Sequence, residues 1–241
     1  MLCRVYLDGA PDGPWMGHVL DQTGCIWLGA TREEVLANAP VAIKEFFAWL
    51  RKHGEPGVSP PASVAVQVEE TQEVPGLGQS GAAVGFFEPD RGPATDDDIA
   101  TTVRRLGYAR RDLLEAVAGL GPEDLDRKPK RNKRTVRQNL IHVRNCHGFY
   151  LSRVLGMKGA EAALPMPWPE DTFASLAWVM ERSVEALLDL PGSLRSGVFP
   201  ARKPAEDWTA RKMLRRFVEH EREHVEVVRR TIASGWTLTT E

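Results

Sequence analysis

The chain has only three cysteines, Cys3, Cys25 and Cys146, an odd number with no C-x-x-C spacing. A disulfide framework is therefore not expected, and a reducing compartment is. No stretch approaches 18 consecutive apolar residues, so no membrane span is expected. The opening Met1-Leu2-Cys3-Arg4-Val5 has no apolar signal core, which makes the cytoplasm the expected location. An excess of one charge is missing too. With 31 Lys/Arg against 33 Asp/Glu, the net charge of −2 gives no pull toward nucleic acid or an acidic membrane. The 42% hydrophobic and 27% charged residues are globular values, so disorder is not expected.

The charge that is present is unevenly placed. Residues 1–95 carry 6 Lys/Arg against 12 Asp/Glu, a net of −6, whereas residues 96–241 carry 25 against 21, a net of +4. The split points to two units. In the first, Val5-Tyr6-Leu7, Trp15 to Leu20 and Cys25 to Leu28 read as strands, with turns at Asp12-Gly13 and Thr23-Gly24. Thr31 stands three residues before Glu34, the spacing of a capping box. The helix that follows carries Val35, Leu36, Ala39, Ile43, Phe46, Phe47 and Leu50 at helical spacing and stops at Gly54 and Pro56. Pro40 inside it predicts a kink or a later start. Val64 to Val68 and Ala82 to Phe87 are further strand candidates, with Pro75-Gly76-Leu77-Gly78 as a mobile loop between them. The fold class expected here is α+β, three to four strands plus a helix, over residues 1–90. Pro89 to Ala94 marks the boundary.

From Thr95 the pattern is helical with almost no strand signal. Thr95 or Asp96, Thr135, Asp171 and Thr209 can each open a helix, and these run to about Leu120, Leu155, Leu190 and Ser234. Four amphipathic helices over residues 95–241 predict an all-α up-down four-helix bundle. Thr135-Val-Arg-Gln-Asn-Leu140 echoes Thr209-Ala-Arg-Lys-Met-Leu214, as if two helices entered the bundle alike.

The last helix carries His220-Glu221-Arg222-Glu223-His224. Histidines at i and i+4 project from one face about one turn apart and can reach one ion. The apolar stripe Leu214, Phe217, Val228 runs through them, so they point inward, where unpartnered imidazoles would cost roughly 1–3 kcal/mol each. A zinc-protease reading of H-E-x-x-H fails, because only 17 residues follow His224 and none is histidine. A third ligand must come from upstream. His142 and His147 both qualify: His147 shares the stripe of Val136, Leu140, Val143 and Leu151, while His142 lies with Asn139, Cys146 and Phe149. Spacing does not choose between them.

Residues 135–143, with a Thr-Val-Arg start leading into Leu140-Ile141-His142, resemble the second helix of the DinB/YfiT-like superfamily. Trp208-Thr-Ala-Arg211 through His220-Glu-Arg-Glu-His224 resembles its last helix, and the likeness covers residues 95 to about 235. It implies His142 as the first ligand beside His220 and His224, with His147 behind the ligands or in a substrate pocket. Three imidazoles leave a coordination position for water, substrate or a thiolate. The resemblance thus implies a metal-dependent enzyme, a hydrolase or thiol S-transferase, with a divalent ion (zinc or nickel), a small thiol as a further cofactor and a small-molecule substrate. Glu221 is the candidate general base or ligand support.

Val5-Tyr6-Leu7, Asp12-Gly-Pro-Trp15, His18-Val19, Gly24-Cys25, Gly29 to Glu34 and Trp49-Leu50 fall in the order of a HicB-like domain. That resemblance implies a small α+β fold from toxin–antitoxin systems. A helix bundle follows in place of a DNA-binding tail, so an interaction or dimerisation module is expected, with a protein partner or a homodimer. The rival class is a non-enzymatic binding protein with a structural metal. Other features have plainer readings. Arg127 to Arg134, 6 basic residues in 8, reads as a solvated loop with no nucleic-acid role. Cys146, one turn beyond His142, reads as a packed structural thiol ahead of a fourth ligand or a reactive thiol, Pro165 to Pro169 as a lid or surface packing, Trp208 as a staple, and His18 and His53 as isolated structural residues.

Overall fold

A computed structural model describes residues 1–77, 83–129, 134–203 and 205–235. Strands β1 (Leu2–Gly9), β2 (Trp15–His18), β3 (Ile26–Gly29) and β4 (Ala65–Glu73) form one sheet in the order β3-β2-β1-β4. β1 pairs antiparallel with β2 and parallel with β4. A parallel pair needs a crossover, and α1 (Arg32–Lys52) supplies it. The two-residue alternation of β1 puts Cys3, Val5 and Leu7 in one core with Ile43, Phe46 and Leu50 of α1. Tyr6 and Asp8 take the other face. Thr31 caps α1 by accepting from Glu34 N, while Glu34 accepts from Ala30 N. The later start that Pro40 allowed does not occur: α1 runs through it from Arg32 to Lys52. One lost N–H is tolerated because Val35, Ala39, Ile43 and Leu50 bind the whole helix to the sheet.

The second expected strand, up to Phe87, does not form among the described residues, and Ala82 lies outside them. Its backbone is satisfied differently. Phe86 N donates to Gln72 Oε1 at 2.9 Å, and Gln72 Nε2 donates to Phe86 O at 2.7 Å, so one side-chain amide replaces a strand partner. Leu77, expected in a mobile loop, is buried with Met16 and Val74; Gly78 lies outside the described residues.

The helical part contains α2 (Asp96–Ala116), α3 (Pro122–Asp126), α4 (Val136–Ala163), α5 (Thr172–Leu188), α6 (Gly192–Arg195) and α7 (Ala210–Gly235). Thr95, Thr135 and Asp171 cap α2, α4 and α5 by accepting from the N3 backbone N–H, and Thr209 accepts likewise from Lys212 N. The shared entry of α4 and α7 accounts for the repeated Thr-x-Arg pattern. Gly156 takes φ 72° and ψ 171° inside α4, and helix resumes beyond it to Ala163. A strand pair that the sequence reading lacked, β5 (Phe199–Arg202) and β6 (Ala205–Trp208), precedes α7.

The four long helices form a bundle, but not in simple up-down order. α2 packs on α5 and α7, and α4 packs on the same two, so the consecutive helices α2 and α4 stand across the bundle from each other. The long connections make this feasible: residues 117–135 include α3, and residues 189–209 include α6 and the β5–β6 pair. No helix among the described residues is long and apolar enough to cross a membrane.

The sheet docks on α7 through buried charge. His18, fully buried, lies 2.9 Å from Asp8 and 3.2 Å from Glu219, so it is far from isolated. Arg215 pairs with Asp90 and Glu219, and Arg216 with Glu219. Four carboxylates, Asp8, Asp90, Glu219 and Glu223, thus share two guanidiniums and the His18 ring. Burial alone would lower the His18 pKa, but Asp8 and Glu219 overcome it and hold the value above the ordinary one. At Glu219 burial is likewise overcome, by Arg215 and His18, and its pKa falls well below the usual range. The β2–β3 turn touches α7 so closely that a Cβ on Gly24 would stand 2.5 Å from Val218. At the far end Asp112 of α2 accepts from Trp49, Lys52 and His53 of the α1 end, so His53 is partnered too.

Removing one member of a buried ion network strands the others, at about 3–5 kcal/mol. Glu219→Ala is therefore expected to cost that much in urea unfolding. Arg4→Ala, which breaks the exposed Arg4–Asp21 pair, should cost about 0–1 kcal/mol. Equal costs would contradict the docking described here.

Candidate metal centre

α4 and α7 pack against each other, and three histidines meet between them. His142 stands two turns into α4; His220 and His224 stand one turn apart in the middle of α7. One donor atom from each lies within 4.8 Å of the others. The His142 and His220 Nε2 atoms are 3.2 Å apart. His142 is half-buried, and His220 and His224 are 8% and 7% exposed. The site thus opens on the α4 side.

Electrostatics keeps all three rings neutral. Burial, then the charge of Arg134, lowers His142 to about 4. Burial, then His142 and Arg134, lowers His224 to about 3. Burial, with His224 and Arg216 adding to it, holds His220 well below its usual value. Neutral imidazole is the form that offers a lone pair to an ion. Between the two facing Nε2 atoms one hydrogen can satisfy both. His224 Nδ1 is buried with no hydrogen-bond partner among the described residues. Buried polar atoms are rarely left so, and a bound cation is one way to satisfy the group.

A family model described as the DinB superfamily matches residues 105–228. The chain belongs to the DinB superfamily. Among solved structures it is similar to YfiT from Bacillus subtilis, described as a probable metal-dependent hydrolase with an unusual four-helix bundle topology. That chain is 20% identical, with a TM-score of 0.44, and the likeness covers 62% of this chain and 95% of the other. No curated protein matches.

In this DinB-superfamily chain the two α4 candidates separate cleanly. His142 joins the cluster, whereas His147, five residues on, turns to another face. His147 Nδ1 lies 2.9 Å from Ser183 Oγ and its Nε2 3.3 Å from Glu221 Oε2, in a ring 2% exposed. It ties α4 to α5 and α7. Glu221, the candidate base, is similarly committed. Both its oxygens engage Arg110, one also faces His147, and the side chain is 1% exposed. Burial would raise its pKa, but Arg110 and His147 bring it to about 2. A carboxylate so held is an anchor with no free oxygen for a substrate proton.

Arg110 was not singled out from sequence, yet it links three helices. Besides Glu221 of α7 it donates to Leu176 O of α5 at 2.7 Å. The signal was present: a guanidinium between Leu106 and Leu113 on the apolar stripe of α2. Cys146 is half-buried, and its Sγ lies 3.6 Å from His142 Nε2. Burial pushes its thiol up to about 11. Trp168 donates to Leu164 O at 3.2 Å and packs on the bundle core. Trp208, 1% exposed, packs on Tyr150 ahead of α7. Of the basic run, residues 130–133 lie outside the described residues.

The sign of the pH dependence follows. A histidine with a depressed folded pKa binds its proton first in the unfolded chain, so the metal-free protein loses stability as pH falls below about 6.5. His18 does not oppose this, since its raised folded value leaves it protonated in both states below about pH 6. Unfolded carboxylates take up protons only near pH 4. Between about pH 6.5 and 4.5 the slope should reach about 1.4 kcal/mol per pH unit for each such imidazole. A His142→Leu, His224→Leu double variant should reduce it in urea titrations, leaving the shares of His220 and His147, which burial also lowers; an unchanged slope would contradict the neutral triad.

Proposed function

We propose that this protein is a metal-dependent enzyme in which His142, His220 and His224 hold one divalent ion, zinc or nickel. The observation that carries the proposal is the set of three converging, neutral imidazoles with one buried nitrogen left unpartnered. Three nitrogen donors leave a position for a substrate, which is the donor set of a catalytic rather than a closed structural site. Bound there, the ion supplies Lewis-acid chemistry, polarising what it binds and lowering its pKa.

The chain's own residues do the rest. The Arg110–Glu221–His147 cluster fixes the rotation of α7 against α2, α4 and α5, and so the direction of His220 and His224. Glu221 serves as a positioning residue in this reading, not as the base. The half-buried His142 side is where a small-molecule substrate enters. The reaction is hydrolysis or the transfer of a group to a small thiol, the chemistry that the resemblance of residues 95–235 implies. Residues 1–90 act as a HicB-like interaction or dimerisation module, and residues 95–241 as the catalytic unit. The acidic balance of the first unit and its four-stranded sheet support that division.

Elemental analysis of untagged protein tests the assignment. About one equivalent of zinc or nickel is expected, lost in His142→Ala, His220→Ala and His224→Ala and kept in His147→Ala. Metal that stays in the His220 variant, or leaves in the His147 variant alone, would sink it.

A further inference from the structure

A strip of half-buried residues leads along α4 away from the histidine cluster. Cys146, Phe149 and Arg153 follow His142 by four, seven and eleven residues, which at about 100° per residue keeps all four on one narrow face. The strip ends at the β5–β6 pair, where Arg153 Nη2 donates to Lys203 O at 3.1 Å. α4 rises roughly 16 Å from His142 to Arg153. Side chains lean toward a helix's N-terminus, and the Arg153 guanidinium lies 4.1 Å over the Phe149 ring. That brings it to roughly 10 Å from the His142 turn.

The far end of this strip lacks an anion. α4 carries no Asp or Glu before Glu161. Arg153 has no ion pair among the described residues; Glu206 acts on its charge but is spent on Lys212 Nζ at 2.8 Å. Across the seam Glu219 and Glu223 are matched by Arg215 and Arg216. Arg153 Nε is buried with no partner among the described residues. Trp208 Nε1 is buried and unpartnered as well, in a side chain 1% exposed whose ring lies 5.9 Å from the same guanidinium. Arginine and tryptophan nitrogens only donate, so an acceptor is what both lack. With Arg153 and Lys212 set against the single carboxylate of Glu206, that acceptor is an anion.

We propose that Arg153, backed by Trp208, binds the carboxylate end of an elongated substrate whose other end lies on the ion. This rests on the three-histidine reading above and deepens it by naming the substrate class. Such a molecule carries its carboxylate roughly 10 Å from the reacting atom and lays an apolar middle along Phe149. Arg153 thereby sets specificity and orientation and takes no part in the bond change itself. A charged hydrogen bond at that distance fixes which substrate atom meets the ion.

Calorimetric titration of the zinc-loaded full-length protein tests the proposal with a readout separate from activity. The probe is octanedioic acid monohydroxamate, whose hydroxamate binds zinc, and its terminal primary amide is the uncharged control. The acid should bind about tenfold tighter than the amide, the effect of one charged hydrogen bond. Arg153→Met should bind the two alike. The butanedioic pair is too short to span the strip, and its acid and amide should bind alike in both proteins. Equal binding of the octanedioic acid and amide by the unaltered protein would overturn the carboxylate site and leave the three-histidine site standing. A preference for the acid that survives in Arg153→Met, or that appears equally in the butanedioic pair, would also overturn it. Protein that retains no zinc, or zinc-loaded protein that binds no hydroxamate, would overturn both readings together.

Discussion

The packing of α7 against everything else is the constraint on which the structure depends. Its Arg215 and Glu219 face the N-terminal unit, and its His220, Glu221 and His224 face the bundle. Buried ion pairs contribute little net stability once desolvation is counted, yet they are costly to break singly. The network therefore acts less as glue than as a register device. With Asp8, His18 and Asp90 matched to Glu219 and Arg215, one rotation of α7 satisfies every charge. That rotation is also the one that turns two histidines toward α4.

The second face is held by the same logic from the opposite side. Arg110 bonds Glu221 and the Leu176 carbonyl, and His147 bridges Ser183 and Glu221. Four helices are thereby tied at Glu221, next in sequence to His220. Polar groups at this density in an apolar core fix orientation at some expense in stability, which suits a site that must keep three rings converging. Burial does the remaining work by keeping those rings neutral and ready to bind.

Much of this was legible in the chain. The helix starts at Thr95, Thr135, Asp171 and Thr209 were visible because a cap is a local contract between a side chain and a backbone group three residues on. The His220–His224 pair was legible for the same reason. What escaped was non-local. His18 and Glu219 are 201 residues apart, and no spacing rule connects them. Spacing left His142 and His147 tied, because each lies on a plausible face and only the neighbouring helices decide between them. The crossed order of the long helices depends on connections whose length permits it but does not demand it. The β5–β6 pair was hidden by Pro200 and by strands of four residues that are mostly not buried. The expected strand before Phe87 failed because Gln72 took over its hydrogen bonds.

The central claim is that α4 and α7 together hold an ion through three imidazoles. Zinc K-edge X-ray absorption of the reconstituted protein measures this directly. The account predicts a low-coordinate shell with three imidazole nitrogens at about 2.0–2.1 Å, marked by the multiple scattering of the rings. A shell of oxygens with no imidazole scattering, or no retained zinc, would contradict it.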